Sequence, residues 1–376
     1  MAVNLRIVHC FRSPVGGIFR HVRDLTEAQV AAGHAVGIVC DSTTGGDYEE
    51  RLFETMKDGL ALGIHRTPMQ RHVGPGDLAS AWRTYRIIQE LRPDVLHGHG
   101  AKGGAYARLF GSLLRVSRFR VARLYSPHGG SLHYDETTAT GKLFFGLERF
   151  MARFTDCLLF VSDYERNTYR RKVGEPPIPN RLVYNGLRAP EFEPVATAAD
   201  AADFLYIGMM RDLKGPDIFI DSLALAGSET GRPLSAVMVG DGDDLPRYHA
   251  QVERLGLKSQ VRFLPPMPAR DAFALAEMIV VPSRAEAMPY IVLEALAAGV
   301  PMIATAVGGI PEIFGEGSPA LIRPDPPQLA AKMGTALGDR DAYRKAMPQT
   351  DELKARFGAD VMAAEIETAY FAALNR

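Results

Sequence analysis

Two successive series of short apolar runs, each run followed by a stretch of helical period, constrain this chain more than any other feature. LRIVHC, then HVRDLTEAQVAAG, then AVGIVC opens the first series. Such runs suit strands buried on both faces, and the intervening 3.6-period segments suit helices that cover those faces. The alternation is the mark of βαβ units and a parallel sheet. DVLHGHG, VARLYSPHG, DCLLFVS and RLVYNG continue the series, each running into Gly, Ser or His, where the functional loops of parallel sheets emerge. Residues 189–202, APEFEPVATAADAA, lack periodicity and hold two prolines, which makes them the candidate linker. The pattern then restarts with FLYIG, SAVMVG, VRFLP, MIVVPS, PMIATAVGG and ALIRP. The expected fold is therefore α/β, with two Rossmann-like doubly wound parallel-sheet domains, residues 1–188 and 189–360, facing across a cleft. The closing segment, 361–376, is expected to be a helix that packs back on the first domain. A length of 376 residues exceeds the usual size of one core, and 47% hydrophobic residues can fill two.

Composition narrows the function classes. Cys10, Cys40 and Cys157 lie in apolar contexts, are odd in number and have no metal-ligand spacing, so they read as reduced core thiols of a cytoplasmic protein. MAVNLRIVHC carries Arg6 inside its apolar run and lacks a signal-peptide layout, and it reads as a first buried strand. Residues 290–309 approach membrane-spanning length, yet Glu294, Pro301 and three glycines interrupt them, which predicts helix, turn and strand. The net charge of −1 hides a polar molecule: residues 1–188 hold 26 Lys and Arg against 18 Asp and Glu, whereas the remainder holds 17 against 26. Arg108, Arg115, Arg118, Arg120 and Arg123 alternate with Leu, Phe and Val over residues 107–125. Two readings of that stretch stand side by side, peripheral contact with an anionic membrane and a merely solvated helix face. The helix KLFFGLERFMARF, 142–154, is read as core rather than membrane-facing. No motif points to nucleic acid.

Chemistry-bearing residues cluster where the strands end. In VVPSRAEAMPYIVLEALAAGVP, 280–301, Glu286 falls in a loop and Glu294 within a helix that Pro289 opens and Gly299 with Pro301 closes. Unpaired N–H groups at such a helix start favour an anionic ligand. Arg211 and Lys214 stand three apart in the loop after FLYIG, followed by Gly215, and their cations can reach one diphosphate. Gly16 and Gly17 precede the first helix, where their N–H groups can meet phosphates or an acceptor, but no G-x-G-x-x-G follows Cys10, which weakens a nicotinamide-dependent reading. His128 sits in SPHGG, where Gly129 and Gly130 permit close backbone approach to a ligand, and the plainer alternative is a loop-packing histidine. His97, His99 and His133 have the wrong spacing for one helix face and no carboxylate cluster, so no metal is expected there. Asp241, Asp243 and Asp244 read as a turn rather than a metal-nucleotide site.

In their order, PVGGI (14–18), PHGG (127–130), FVSDYERN (160–167), VYNGL (183–187), GMMRDLKG (208–215), VGDGDD (239–244), the Glu286 and Glu294 pair and VGGIPEI (307–313) resemble the family 4 retaining glycosyltransferases of the GT-B fold, of bacterial surface or exopolysaccharide type. The resemblance spans nearly the whole chain. It implies transfer of a sugar from a nucleoside-diphosphate sugar, most often a UDP-sugar, to a saccharide or lipid-linked saccharide, with no cofactor and no required metal. The implied catalytic residues are His128, Arg211, Lys214 and Glu286. The implied substrate-binding residues are Gly16, Gly17, Gly129, Asn185, Glu294 (on ribose hydroxyls), Gly308 and Gly309. The implied mechanism is front-face displacement with retention, Glu286 lying near the transferred sugar and the leaving phosphate helping to accept the acceptor's proton. The implied place is the cytoplasm, peripheral on the inner face of the plasma membrane. Two other readings are open: a nucleotide-sugar epimerase of the same fold, which turns over donor alone, and a noncatalytic nucleotide-sugar-binding subunit, against which the Arg211, Lys214, Glu286 and Glu294 set argues.

Overall fold

The structure is a computed structural model that describes residues 4–70, 75–117, 120–315 and 317–375. Its chain divides into two compact units, residues 1–186 with 359–376, and residues 187–358. Arg118 of the basic stretch lies outside the described residues.

Unit 1 is built from strands β1 (Arg6–Phe11), β2 (Ala35–Asp41), β3 (Ile64–Thr67), β4 (Val95–His99), β5 (Ala122–Ser126), β6 (Cys157–Phe160) and β7 (Asn180–Leu182). They form one sheet in the order β3-β2-β1-β4-β5-β6-β7, and every pairing is parallel. Its helices are α1 (Gly16–Ala31), α2 (Asp47–Lys57), α3 (Pro75–Leu91), α4 (Gly100–Val116), α5 (Ala139–Met151) and α6 (Asp163–Lys172). The strands alternate between two cores. Ile7, Phe11, Val95 and Leu124 pack with Phe19, Val22 and Leu25 of α1, whereas Val8, Cys10 and Leu96 pack with Tyr106, Phe110 and Leu114 of α4. Because both faces are covered, β1 shows no polar alternation beyond one histidine, and each buried Val, Ile or Leu contributes about 1.5–3 kcal/mol.

Unit 2 repeats the plan with β8 (Ala202–Ile207), β9 (Ala236–Val239), β10 (Val261–Leu264), β11 (Ala276–Val281), β12 (Met302–Thr305) and β13 (Leu321–Ile322), ordered β10-β9-β8-β11-β12-β13 and again parallel. Helices α7 (Pro216–Thr230), α8 (Leu245–Arg254), α9 (Ala269–Phe273), α10 (Tyr290–Ala297), α11 (Ile310–Phe314), α12 (Pro326–Gly338), α13 (Arg340–Lys345) and α14 (Thr350–Phe357) cover it. The last helix, α15 (Ala359–Leu374), belongs to unit 1, where Met362, Ile366 and Tyr370 join the core of α1. Both sheets reverse direction of strand order beside the first strand of the unit, which is where ligands meet doubly wound sheets.

Three expectations need correction. Residues 189–202 are not a loose linker: Phe192 is buried, the Val195 amide donates to Ala298 O and the Ala198 amide to Ala274 O, so the segment is packed into unit 2. The basic stretch is a surface stripe only in part: Arg108 is buried and donates to Glu148 at 2.8 Å, and Arg123 clasps Asp156 at 2.9 Å, whereas Arg115 and Arg120 are exposed. Helix α5 is not wholly core: Phe145, Glu148 and Met151 face inward, while Leu143, Leu147 and Phe150 are exposed. Among the described residues no helix is long and apolar enough to cross a membrane.

Candidate active site

In unit 2 the loops after β8, β9, β11 and β12 carry the expected residues. Arg211 opens a short 3-10 turn, Asp212–Lys214, and Gly215 passes into α7 with φ 69°. Arg284 binds this turn to the loop after β11: its backbone amide donates to Leu213 O, and its guanidinium donates to both carboxylate oxygens of Asp217, at 2.8 and 2.6 Å. The two loops are thereby held edge to edge, so that Lys214 Nζ reaches Glu286 Oε1 at 2.6 Å. Ser283 Oγ donates to the same oxygen at 2.7 Å, and the Glu286 side chain is only 8% exposed.

The strand β12 loop sets the position of Glu286 from behind. Gly308 has φ 61°, and a Cβ there would lie 1.8 Å from Glu286 O, so only glycine allows this approach. The Gly309 amide donates to Ala287 O at 3.0 Å. That amide is therefore engaged by protein. Glu294 is half-buried inside α10. Arg211 is exposed, and its side chain carries no ion pair among the described residues, which leaves one uncompensated cation three positions from Lys214. The VGDGDD segment is a turn: Gly242 N donates to Asp241 Oδ1, Met210 N donates to Asp241 O, and Asp244 immediately precedes α8.

In unit 1, His128 is half-buried in the loop after β5 with φ 50°, a backbone conformation uncommon outside glycine and worth on the order of 1 kcal/mol of strain. Glu165 holds that loop. Its Oε1 accepts the Gly129 amide and its Oε2 the Val161 amide at 2.9 Å, while its own amide donates to the Ser162 Oγ that caps α6. Just beyond, Glu148 accepts from Ser131 Oγ and Tyr125 OH, its other oxygen taking Arg108. Asn185 is buried with Oδ1 3.1 Å from His21 Nδ1, and the His21 ring stands edge-on to His128 at 4.7 Å. Gly16 and Gly17 are exposed at the start of α1, Gly16 with φ 66°.

What sequence reasoning missed is a group of five histidines. The β1 and β4 register pairs His9 with His97, and His99 follows two residues on, so all three share the face beneath α1 and α15. His9 Nδ1 lies 3.0 Å from His99 Nε2, His99 Nδ1 lies 3.1 Å from His128 Nε2, and His9 Nε2 lies 2.8 Å from Gln29 Oε1. Burial holds His9 and His21 down at about 4 from 6.5, and holds His97, His99 and His128 well below 6.5, so all five are neutral at pH 7. Two triads, His9 with His97 and His99, and His21 with His99 and His128, have nitrogens within 4.8 Å of one another, which is the spacing a metal test would begin from. Helix spacing was the wrong test for HGH, because these histidines are strand residues, and alternate positions on a strand share a face.

Two parallel, doubly wound units, with a cation and carboxylate pair at the strand ends of the second, have the architecture expected of a GT-B protein. The comparisons with known proteins agree. Residues 16–186 match the glycosyl transferase 4-like domain and residues 201–339 match the glycosyl transferases group 1 model. A D-inositol 3-phosphate glycosyltransferase of Jonesia denitrificans is 32% identical over 362 residues, 86% of this chain and 83% of that protein. That of Thermobispora bispora is 25% identical over 370 residues, 90% and 81%. That of Nocardia farcinica aligns over only 151 residues, 34% of its own length, at 32% identity. Among solved structures, Anabaena HepE in complex with UDP-glucose superposes with a TM-score of 0.80 at 18% identity, covering 97% of this chain and 99% of that one. Sucrose-phosphate synthase from Thermosynechococcus elongatus gives 0.73 at 22%, covering 97% and 98%. The chain belongs to the GT-B glycosyltransferases.

Proposed function

We propose that this chain is a retaining, metal-independent glycosyltransferase that moves a sugar from a UDP-sugar to a saccharide or lipid-linked saccharide in surface-polysaccharide assembly. The observation that carries the reading is the Lys214 and Glu286 pair at 2.6 Å, with Arg211 uncompensated on the same loop. Lys214 has three N–H donors, and Glu286 takes one, leaving two for diphosphate oxygens. Arg211 supplies the net positive charge that offsets the negative charge growing on the departing diphosphate. Glu286 holds Lys214 and lies by the transferred sugar, Glu294 takes the ribose hydroxyls, and Gly308 keeps the Glu286 loop in place. In unit 1, His128 with Gly129 serves the sugar or the acceptor hydroxyl, Asn185 steadies the neighbouring His21, and Gly16 and Gly17 offer the N–H groups of α1. The name of the curated relatives adds a phosphorylated inositol to the acceptors that a screen should hold. The exposed Leu143, Leu147 and Phe150 on α5, flanked by the exposed Lys142 and Arg153, support peripheral membrane contact, which sedimentation with anionic vesicles reads directly.

Nucleotide sugars screened by thermal shift, with and without EDTA, identify the donor, because ligand binding raises apparent stability. Transfer followed by NMR of the new anomeric bond reads retention. Arg211→Ala and Lys214→Ala are each expected to lower kcat by about 10²–10³. If both keep full activity at saturating donor, the assigned roles are wrong. Turnover of UDP-sugar without acceptor would indicate an epimerase, and donor binding without transfer to any acceptor would indicate a binding subunit.

A further inference from the structure

The histidine group is organised as a line, not a cage. A tetrahedral metal with Zn–N bonds near 2.0–2.1 Å needs its nitrogens converging at mutual separations of about 3.3 Å. Here His99 uses opposite ring nitrogens, Nε2 toward His9 and Nδ1 toward His128, so the three rings form a relay that begins at Gln29. A divalent ion in this place would also be buried without a carboxylate partner, since the relay's hydrogen bonds run only to His, Gln, Tyr and Ser.

The relay has a direction, and Gln29 sets it. The Gln29 amide nitrogen donates to Tyr370 OH at 3.2 Å, so its amide oxygen faces His9 and must accept from His9 Nε2–H. His9 Nδ1 is then a lone pair that accepts from His99 Nε2–H, and His99 Nδ1 accepts in turn from His128 Nε2–H. Tyr370 OH, having accepted from Gln29, donates to His97 Nδ1 at 2.8 Å, and His97 Nε2–H donates to Ser126 Oγ at 2.9 Å. Turning the Gln29 amide over would reverse every bond and leave His128 with a hydrogen on Nδ1. His9, Gln29, His99 and Tyr370 are all at most 3% exposed, so no water competes for these bonds.

We infer that Gln29, His9 and His99 are positioning residues that lock His128 as the Nε2–H tautomer, so that it presents Nδ1 to substrate as a hydrogen-bond acceptor. His128 Nδ1 has no hydrogen bond to protein among the described residues, which leaves it for a hydroxyl group. A neutral, acceptor-only nitrogen receives a proton from a sugar or acceptor hydroxyl in a hydrogen bond, and a donor nitrogen in its place would reject the same hydroxyl orientation. The strained φ of His128 fits this role, because Glu165 holds the adjoining Gly129 amide and His99 holds the ring. The functional half of the inference rests on the reading that His128 meets the sugar or the acceptor.

The test reads the two halves separately. Long-range ¹H–¹⁵N correlation of the histidine rings in the ligand-free full chain, assigned by loss of signals in His128→Gln, reports each tautomer. The expected result is Nε2–H on His9, His99 and His128 at pH 7, unmoved by one equivalent of Zn²⁺. An Nδ1–H form on any of the three, or ring signals that shift on adding Zn²⁺ alone, overturns the relay. Gln29→Met removes the group that sets the direction, and His128 is then expected to populate both tautomers. Its kcat is expected to fall about tenfold or more with the donor KM changed less than about threefold, and Gln29→Glu, which still accepts from His9, is expected to restore both readouts. A Gln29→Met enzyme with mixed tautomers and unchanged kcat overturns the positioning role. Full transfer by His128→Ala would instead remove the premise that His128 meets substrate, and the ring spectra would still decide the relay.

Discussion

Acidification between pH 7 and pH 5 should unfold unit 1 preferentially, because its buried histidines are neutral in the folded state and charge readily once exposed. His9 and His21 are held at about 4 by burial against an ordinary 6.5. A depressed folded-state value means that the unfolded chain binds the extra proton first. Stability is therefore complete above about pH 6.5 and is lost as pH falls toward 4. Over the interval from pH 7 to pH 5 the loss is roughly 2 kcal/mol for each of these two rings, and His97, His99 and His128 act in the same direction. Arg20 and Arg23 of α1 are paired with Asp24, and Glu367 of α15 is paired with His34. Tyr370 is pushed far up by burial and stays neutral. Asp41 on β2 is below its ordinary 3.8 although burial opposes this, because Met69, Thr43 and Thr44 donate to it, and it titrates beneath the interval. The single tryptophan, Trp82, lies on α3, so urea unfolding followed by its fluorescence reports on unit 1. The expected result is a midpoint that drops steeply between pH 7 and pH 5, with a drop smaller by about 2 kcal/mol in His9→Gln, which keeps a donor and an acceptor between Gln29 and His99. A wild-type midpoint that is flat over the interval, or a His9→Gln slope equal to the wild-type one, would refute the neutral-cluster account.

Gly308→Ala places a methyl 1.8 Å from Glu286 O at a φ of 61°, so the Glu286 loop must shift. A fall in stability of about 1–3 kcal/mol together with weaker donor binding is expected, by thermal unfolding with and without nucleotide sugar, and an unchanged donor affinity would separate the loop from the site. Arg108→Met leaves Glu148 buried with only Tyr125 and Ser131 as partners, and should cost about 3–5 kcal/mol in urea unfolding at neutral pH. A loss under 1 kcal/mol would show that Glu148 does not depend on Arg108.

Why some of this was legible from sequence and some was not follows from how far the deciding partners are along the chain. Each of the twelve expected apolar runs overlaps a strand, because a strand inside a covered parallel sheet needs an apolar segment and that need is written locally. The strand that sequence reasoning passed over, β3, is a four-residue edge strand, IHRT, with only Thr67 fully buried, so it carries no such segment. The Lys214 and Glu286 pair could be anticipated as residue types at strand ends, but Asp217, Arg284 and Gly308, which bring the two side chains to 2.6 Å, act through loop packing that no local pattern announces. Arg108 and Arg123 look like surface cations in a basic stretch until Glu148 and Asp156 arrive from 40 and 33 residues away. The histidines are the strongest case. HGH in β4 and the lone histidine of β1 are each unremarkable, and what joins them is the rule that the first and fourth strands of a doubly wound sheet are neighbours. Once that adjacency is granted, His9 and His97 must share a face, and a polar line at the carboxyl ends of buried strands has to be satisfied internally. Gln29 and Tyr370 satisfy it from α1 and α15. The terminal helix is thus the element that completes the hydrogen bonding behind His128.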